Sequence, residues 1–184
     1  MRCICRFRSV VLLVAFLALG LPVESRAQAL PSVPTPIVTR APDAGTAFNH
    51  VAIPLPTDFV EEEFFVEGTT SVGAYRTRIL VRRPRADAFN GTVLVEWFNV
   101  SFNFDIDIEW PALRDQVLRD GYAYVGVSVQ TIGLNTLKAL NPARYGTLVH
   151  PDPNPVPAGN TQPASFDIFS QVGKAAPSSA SSSV

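Results

Sequence analysis

Cysteine is almost absent: the 184-residue chain has two, Cys3 and Cys5, both within its first five residues. A mature chain starting near residue 28 would hold no disulfide and no thiolate metal site, so its stability has to come from a packed core. A basic stripe is missing as well. Removing residues 1–27 takes four arginines and Glu24 from the chain's 15 basic and 16 acidic residues, leaving a formal balance of −4. That excludes the counterion-displacing surface that a nucleic-acid partner requires. Histidine is scarce, with His50 and His150 as the two imidazoles. The apolar run near the start, Val10 to Leu21, falls short of the roughly 20 residues that span a bilayer.

What is present at that end has a familiar layout. Arg2, Arg6 and Arg8 precede the apolar run, and the small residues Ala27 and Ala29 follow it, which reads as a secretory signal peptide over 1–27. The expectation is export to the periplasm or beyond the cell, with no stable membrane insertion after cleavage. About 155 residues then remain, enough for one domain.

Residues 28–58 read as a proline-rich extended lead-in, carrying Pro31, Pro34, Pro36, Pro42, Pro54 and Pro56, each of which removes a donor and disfavours helix before it. Order is expected from Phe59. There Val60, Glu62, Phe64 and Val66 alternate with Glu61, Glu63, Phe65 and Glu67, a period of two that predicts a strand with one wet side. A second alternating run sets Thr77, Ile79 and Val81 against Arg76, Arg78, Leu80 and Arg82. Paired as an antiparallel hairpin, the two runs put a glutamate row beside an arginine row; this pairing is preferred to an anion site at Arg76, Arg78 and Arg82.

After Asn90-Gly91 the pattern changes to nearly continuous apolar runs, Thr92 to Phe98 and Tyr122 to Val129, as in strands covered on both faces. Between them Trp110, Leu113, Val117 and Leu118 recur with helical spacing. Asp107 is a candidate cap for that helix, and Gly121 a left-handed terminator. Strand, helix and strand make a βαβ crossover with parallel neighbours. Thr131 to Pro163 reads as a loop-rich excursion. A helix is then expected from the Ser165 cap, with Phe166, Phe169 and Val172 partly on one face, Pro177 interrupting it, and 177–184 a low-complexity tail.

The wording of several blocks carries a resemblance. Val60 to Gly68, Tyr75 to Pro84, Phe89 to Val100 and Pro142 to Leu148, with Phe166-Asp167-Ile168-Phe169-Ser170-Gln171, are similar to the bacterial "alpha/beta hydrolase domain" family of exported proteins. The resemblance runs from about Val60 to Lys174 and implies an α/β fold class. Residues 59–176 would form the N-terminal part of an α/β-hydrolase sheet, an antiparallel hairpin followed by a βαβ unit, incomplete as it stands. It implies a serine-type hydrolase of small esters or related acyl compounds, with no cofactor and no metal. In that fold the nucleophile sits on a strand-to-helix elbow, with acid and histidine later in the chain. The strand that would carry the elbow is not found, so the whole triad is expected beyond Val184 and this chain is expected to be inactive.

Candidate residues follow from both readings. In the loop after the first parallel strand, Val100 and Ser101 are the oxyanion-loop candidates, because the corresponding loop in such hydrolases donates a backbone N–H. Ser128, in Gly126-Val127-Ser128-Val129-Gln130, imitates part of a G-x-S-x-G elbow but has Gln130 for the second glycine and no helical run after it. His50 and His150 read as solvated loop residues. Asp105, Asp107 and Glu109 alternate as a hard-cation site might, but suit a helix N-terminus better. Glu96, inside an apolar strand, has to be paired or near the strand end. Asn90-Gly91-Thr92 and Asn99-Val100-Ser101 match glycosylation acceptors, a pattern common by chance. The rival expectation is an exported binding or structural module in which Trp97, Trp110 and Tyr145 line a groove.

Overall fold

The computed structural model describes residues 32–153 and 162–181. The segment read as a signal peptide lies outside them. Five strands form one mixed sheet: β1 (Ile37–Arg40), β2 (Phe59–Thr69), β3 (Ala74–Pro84), β4 (Val93–Trp97) and β5 (Ala123–Val127), in the order β1-β2-β3-β5-β4. The helices are α1 (Glu109–Asp120), α2 (Thr131–Leu140), α3 (Pro142–Tyr145) and α4 (Pro163–Ser181).

The hairpin forms as its alternation requires. β2 and β3 pair antiparallel over their full length, from Phe59 opposite Pro84 to Thr69 opposite Ala74. Thr70 closes the turn by accepting from the Val72 and Gly73 amides and donating to the Gly73 carbonyl. β4 and β5 are parallel neighbours joined through α1, which is the α/β arrangement expected of them. Gly121 ends α1 with φ 68°, and its N–H returns to the Val117 carbonyl. A side chain there would also meet the Ala88 carbonyl oxygen.

Alternation along the strands sorts the core into two faces. Val66, Ile79, Val81, Val125 and Val127 meet Ile168 and Val172 of α4 on one. On the other, Leu80 and Tyr124 pack with Trp110 and Val117 of α1, and Phe65 with Leu134 and Leu137 of α2 and with Tyr145.

Several sequence readings change. Order begins before Phe59, since β1 adds an antiparallel edge strand from Ile37 opposite Glu67 to Arg40 opposite Phe64. The supposed wet face of β2 is covered in its middle: Glu63 and Phe65 are buried, beneath α2, α3 and the lead-in, while Glu61 and Glu67 at its ends keep contact with solvent. The glutamate and arginine rows do pair, but largely out of water. The excursion after Thr131 contains α2 and α3. Its prolines hid them, yet Pro142 stands at the start of α3, where a missing N–H costs nothing, and Asn141 caps that turn by accepting from the Arg144 amide.

At the far end, α4 runs through Pro177 to Ser181. One lost donor is tolerated because the buried Ala175 and Ala176 just before it keep the helix seated. Ser165 is inside the helix rather than its cap. Phe166 is exposed, the buried face being Ala164, Ile168, Val172 and Ala176. Leu113 likewise points outward from α1.

Candidate active site at the carboxyl ends of β4 and β5

In a parallel α/β arrangement the loops leaving the carboxyl ends of the strands are the ones free to meet a ligand. Here these are 98–108 after β4 and 128–130 after β5. The first is tightly folded. Asn99 and Ile106 exchange both backbone hydrogen bonds, at 3.0 and 2.8 Å, and the Asn99 side chain accepts from the Ser101 amide at 2.8 Å. Asn103 sits at φ 65°, a left-handed conformation that asparagine adopts more readily than most residues. Its carbonyl accepts from the Thr136 hydroxyl of α2 at 2.6 Å. The Ser101 N–H is thus committed within its own turn, while Val100 packs towards Gly133 of α2.

The loop's anchor is Asp105, which is buried. It accepts from the Ser128 hydroxyl at the end of β5 and lies 3.6 Å from the Arg78 guanidinium. Burial pushes its carboxyl pKa up, Arg78 and the Ser128 hydrogen bond oppose the rise, and Glu63 adds to it. Arg78 is itself fully buried. Its Nε lies 2.7 Å from Glu63 Oε1, off the N–H axis, a close charge contact rather than an aligned hydrogen bond. One Nη donates to the Phe48 carbonyl at 2.5 Å. Glu63 also holds Arg144 at 2.6 Å and accepts from the Tyr145 hydroxyl at 2.9 Å. A chain of opposite charges therefore runs under the loop, satisfying the rule that buried ions need partners.

A second buried pair lies alongside. Arg82 contacts Glu61 at 2.7 Å and Asp107 at 2.8 Å, with the Trp110 ring 4.4 Å away. Asp107 is spent on this contact and does not cap α1. Glu96 of β4 reaches the helix start instead, accepting from the Glu109 amide at 3.1 Å and from the Tyr124 hydroxyl. Burial raises the Glu96 pKa, against the pull of those two donors. Glu96 is thus paired, as a carboxylate in an apolar strand has to be. Asp105 and Asp107 turn to different arginines and Glu109 is exposed, so the three do not converge on a common point.

Ser128 differs from its sequence reading in one respect, for a helix, α2, does follow it. It remains a core hydroxyl: fully buried, its proton directed to Asp105 and its amide to the Arg78 carbonyl. His150 is not solvated. Its Nε2 faces the Val129 carbonyl at 2.8 Å, so that nitrogen carries the proton, and Nδ1 accepts from the Asp152 amide at 3.1 Å beside the Thr131 hydroxyl at 3.0 Å. Burial lowers its pKa, with Val129 and Asp152 pulling the other way. Ser165 Oγ stands 3.4 Å from Nε2, but that nitrogen is a donor and cannot take its proton. His50 is exposed, beside the Phe104 ring at 5.3 Å.

Trp97, Trp110 and Tyr145 do not share a groove. Trp97 donates to Gln130 at 3.2 Å beside α4, Trp110 of α1 is buried against the sheet with Leu80 and Tyr124, and Tyr145 is buried against Phe65. Both acceptor asparagines are used locally, Asn90 bonding the Asp120 carbonyl and Asn99 the Ser101 amide. The sequence reading missed a cleft of about 310 Å³ next to the 98–108 loop, lined by Phe48, Asn49, His50, Phe104, Thr136 and Leu140. Its walls come from three distant segments, and only the pair Phe102 and Phe104 hinted at it. A second cavity of about 420 Å³ is lined by charged groups including Arg40, Asp43, Glu62 and Arg144.

Residues 32–183 match the model of a family described as "Alpha/beta hydrolase domain". No curated protein and no solved structure matches the chain.

Proposed function

Because the chain belongs to the alpha/beta hydrolase domain family, we propose that it supplies the front half of an exported serine-type hydrolase of small esters or related acyl compounds. The observation that carries the reading is the 98–108 loop. It leaves a parallel strand at its carboxyl end and is clamped from below by Asp105 to Ser128 and from the side by Asn103 to Thr136. Acyl transfer develops negative charge on the carbonyl oxygen, and rigid backbone donors lower that barrier because they need no reorganisation during the reaction. The Val100 N–H is the donor we assign, since the Ser101 N–H is bonded to Asn99.

The nucleophile, its histidine and its acid are assigned to residues beyond Val184. Among the described residues, both hydroxyls that could be considered are unsuited: Ser128 donates to a carboxylate, and Ser165 faces a donor nitrogen. Export by the N-terminal 27 residues belongs to the same reading, supported by the arginines, apolar run and small residues there. The decisive experiment is labelling of the purified chain with a fluorophosphonate probe, together with turnover of short-chain aryl esters. No labelled serine and no turnover are expected. Labelling of Ser128 or Ser165, lost in the matching alanine variant, would overturn the assignment. Translation of the encoding DNA past Val184 should reveal a further strand, a G-x-S-x-G-like elbow and a later acid and histidine.

A further inference from the structure

We propose that the cleft between the lead-in, the 98–108 loop and α2 binds the aromatic ring of a neutral ester substrate, an assignment that rests on the acyl-hydrolase reading above and names its substrate class. Three of the six lining residues, Phe48, His50 and Phe104, carry rings. Phe104 meets Phe48 edge to face at 6.2 Å and 74°, lies against His50 at 5.3 Å, and is flanked outside by Phe102 at 6.4 Å. Leu140, 60% exposed at the end of α2, forms the opposite rim. Such walls favour a planar ring over an aliphatic one, since the edge of a further ring is attracted to the face of each ring already present.

Charge bookkeeping points the same way. Among the described residues, no Asp, Glu, Lys or Arg lines the cleft. Asn49 donates from Nδ2 to Glu61 and accepts at Oδ1 from Arg82, and Thr136 donates its proton to the Asn103 carbonyl. With Asn49 and Thr136 already bonded to protein and the His50 ring laid against Phe104, an ionised ligand would lose hydration and gain little. The volume, about 310 Å³, is at the small end of ligand pockets, roughly 300–1,000 Å³, enough for one ring with a short substituent.

The cleft is also pre-organised. The Phe48 N–H donates to the Tyr145 hydroxyl at 2.7 Å, and the Phe48 carbonyl accepts from Arg78 at 2.5 Å. Phe104 adjoins Asp105, which anchors the loop bearing Val100. A ring held here therefore touches, through Phe104, the same loop that carries Val100.

The test uses N-benzylacetamide, a neutral aromatic amide that resists hydrolysis, titrated into the isotopically labelled chain and followed by amide NMR shifts. Saturable shifts are expected at Phe48 to His50, Asn103 to Phe104 and Thr136 to Leu140. N-(cyclohexylmethyl)acetamide should bind about fivefold more weakly. Leu140→Trp, at a rim position 60% exposed, should abolish the shifts, and Phe104→Ala should weaken binding to a similar extent as the change of ring. Equal binding of the two amides, unchanged binding by Leu140→Trp, or shifts mapped elsewhere or nowhere would overturn the assignment. Binding of an unreactive amide needs no nucleophile. Its failure is thereby separated from failure of the hydrolase reading, which the fluorophosphonate and ester assays report.

Discussion

Replacing Glu63 by glutamine removes one charge and leaves the shape, and its effect can be worked out from three contacts. The carboxylate lies 2.7 Å from Arg78 Nε and 2.6 Å from Arg144 Nε, and accepts from Tyr145 at 2.9 Å. The Glu63 and Arg78 side chains are 2% and 1% exposed, so water cannot screen the change. Glutamine keeps one acceptor oxygen and aims an NH₂ at a guanidinium, setting donor against donor. Arg144 keeps the Pro42 and Gly45 carbonyls, and Arg78 keeps Asp105 at 3.6 Å, which limits the damage without removing it. Breaking one side of a buried pair costs about 3–5 kcal/mol, and at about 2–4 °C per kcal/mol for a domain of this size the melting point should fall by about 6–20 °C.

Glu67→Gln is the matched control. Its pair with Arg76 spans 3.3 Å between side chains 37% and 33% exposed, and such a pair contributes under about 1 kcal/mol. Urea titration followed by circular dichroism gives both values, and an unchanged slope would show that the denatured state is unaffected. If Glu63→Gln and Glu67→Gln fell within about 1 kcal/mol of each other, the account of the buried charges as a mutually dependent set would be wrong.

Three further outcomes are expected. Gly133→Ala should destabilise by about 1–3 kcal/mol, because the new methyl meets the Asp105 carboxylate, whereas helix propensity alone predicts a gain of about 1 kcal/mol; thermal melts decide the sign. His150 has its pKa lowered by burial, so its contribution to stability is complete above the ordinary imidazole value near 6.5 and is lost as pH falls through the lowered native value. Urea midpoints of the wild type minus those of His150→Gln should decline across that window. Glu96 is raised by burial, so the sign reverses: wild-type stability is complete below the ordinary carboxylate range and falls as pH rises through the raised native value. Glu96→Gln should flatten that slope in the same assay.

The parts legible in the sequence were those in which period and composition agree. The alternation of Glu61 to Val66 and of Arg76 to Val81, the apolar runs around Val95 and Val125, and the Gly121 terminator all specify backbone geometry locally, and the sheet follows them. α2 was hidden because Thr131 to Leu140 is followed closely by Pro142 and Pro151, and a proline at a helix start looks in sequence like one that forbids a helix. The wet face assigned to β2 failed for a different reason. Glutamate and arginine in alternation normally mark solvent, and only tertiary contacts from Arg144, Asp105 and Asp107 reveal that these charges satisfy one another inside the protein. For the candidate site, Asn99 to Ser101 was singled out from its position after a strand, whereas the aromatic cleft joins Phe48, Phe104 and Leu140 across long stretches of chain, a proximity that no local pattern encodes.

Arg78 touches three things at once: the lead-in through the Phe48 carbonyl, the hairpin through Glu63, and the loop after β4 through Asp105. A proline-rich strip that looks dispensable is thereby mechanically tied to the loop that we propose receives a carbonyl oxygen. Trimming the strip, or transplanting the loop onto another scaffold without it, should loosen both together. The unit on which selection or an engineer can act is the arginine with its three attachments, not the loop alone.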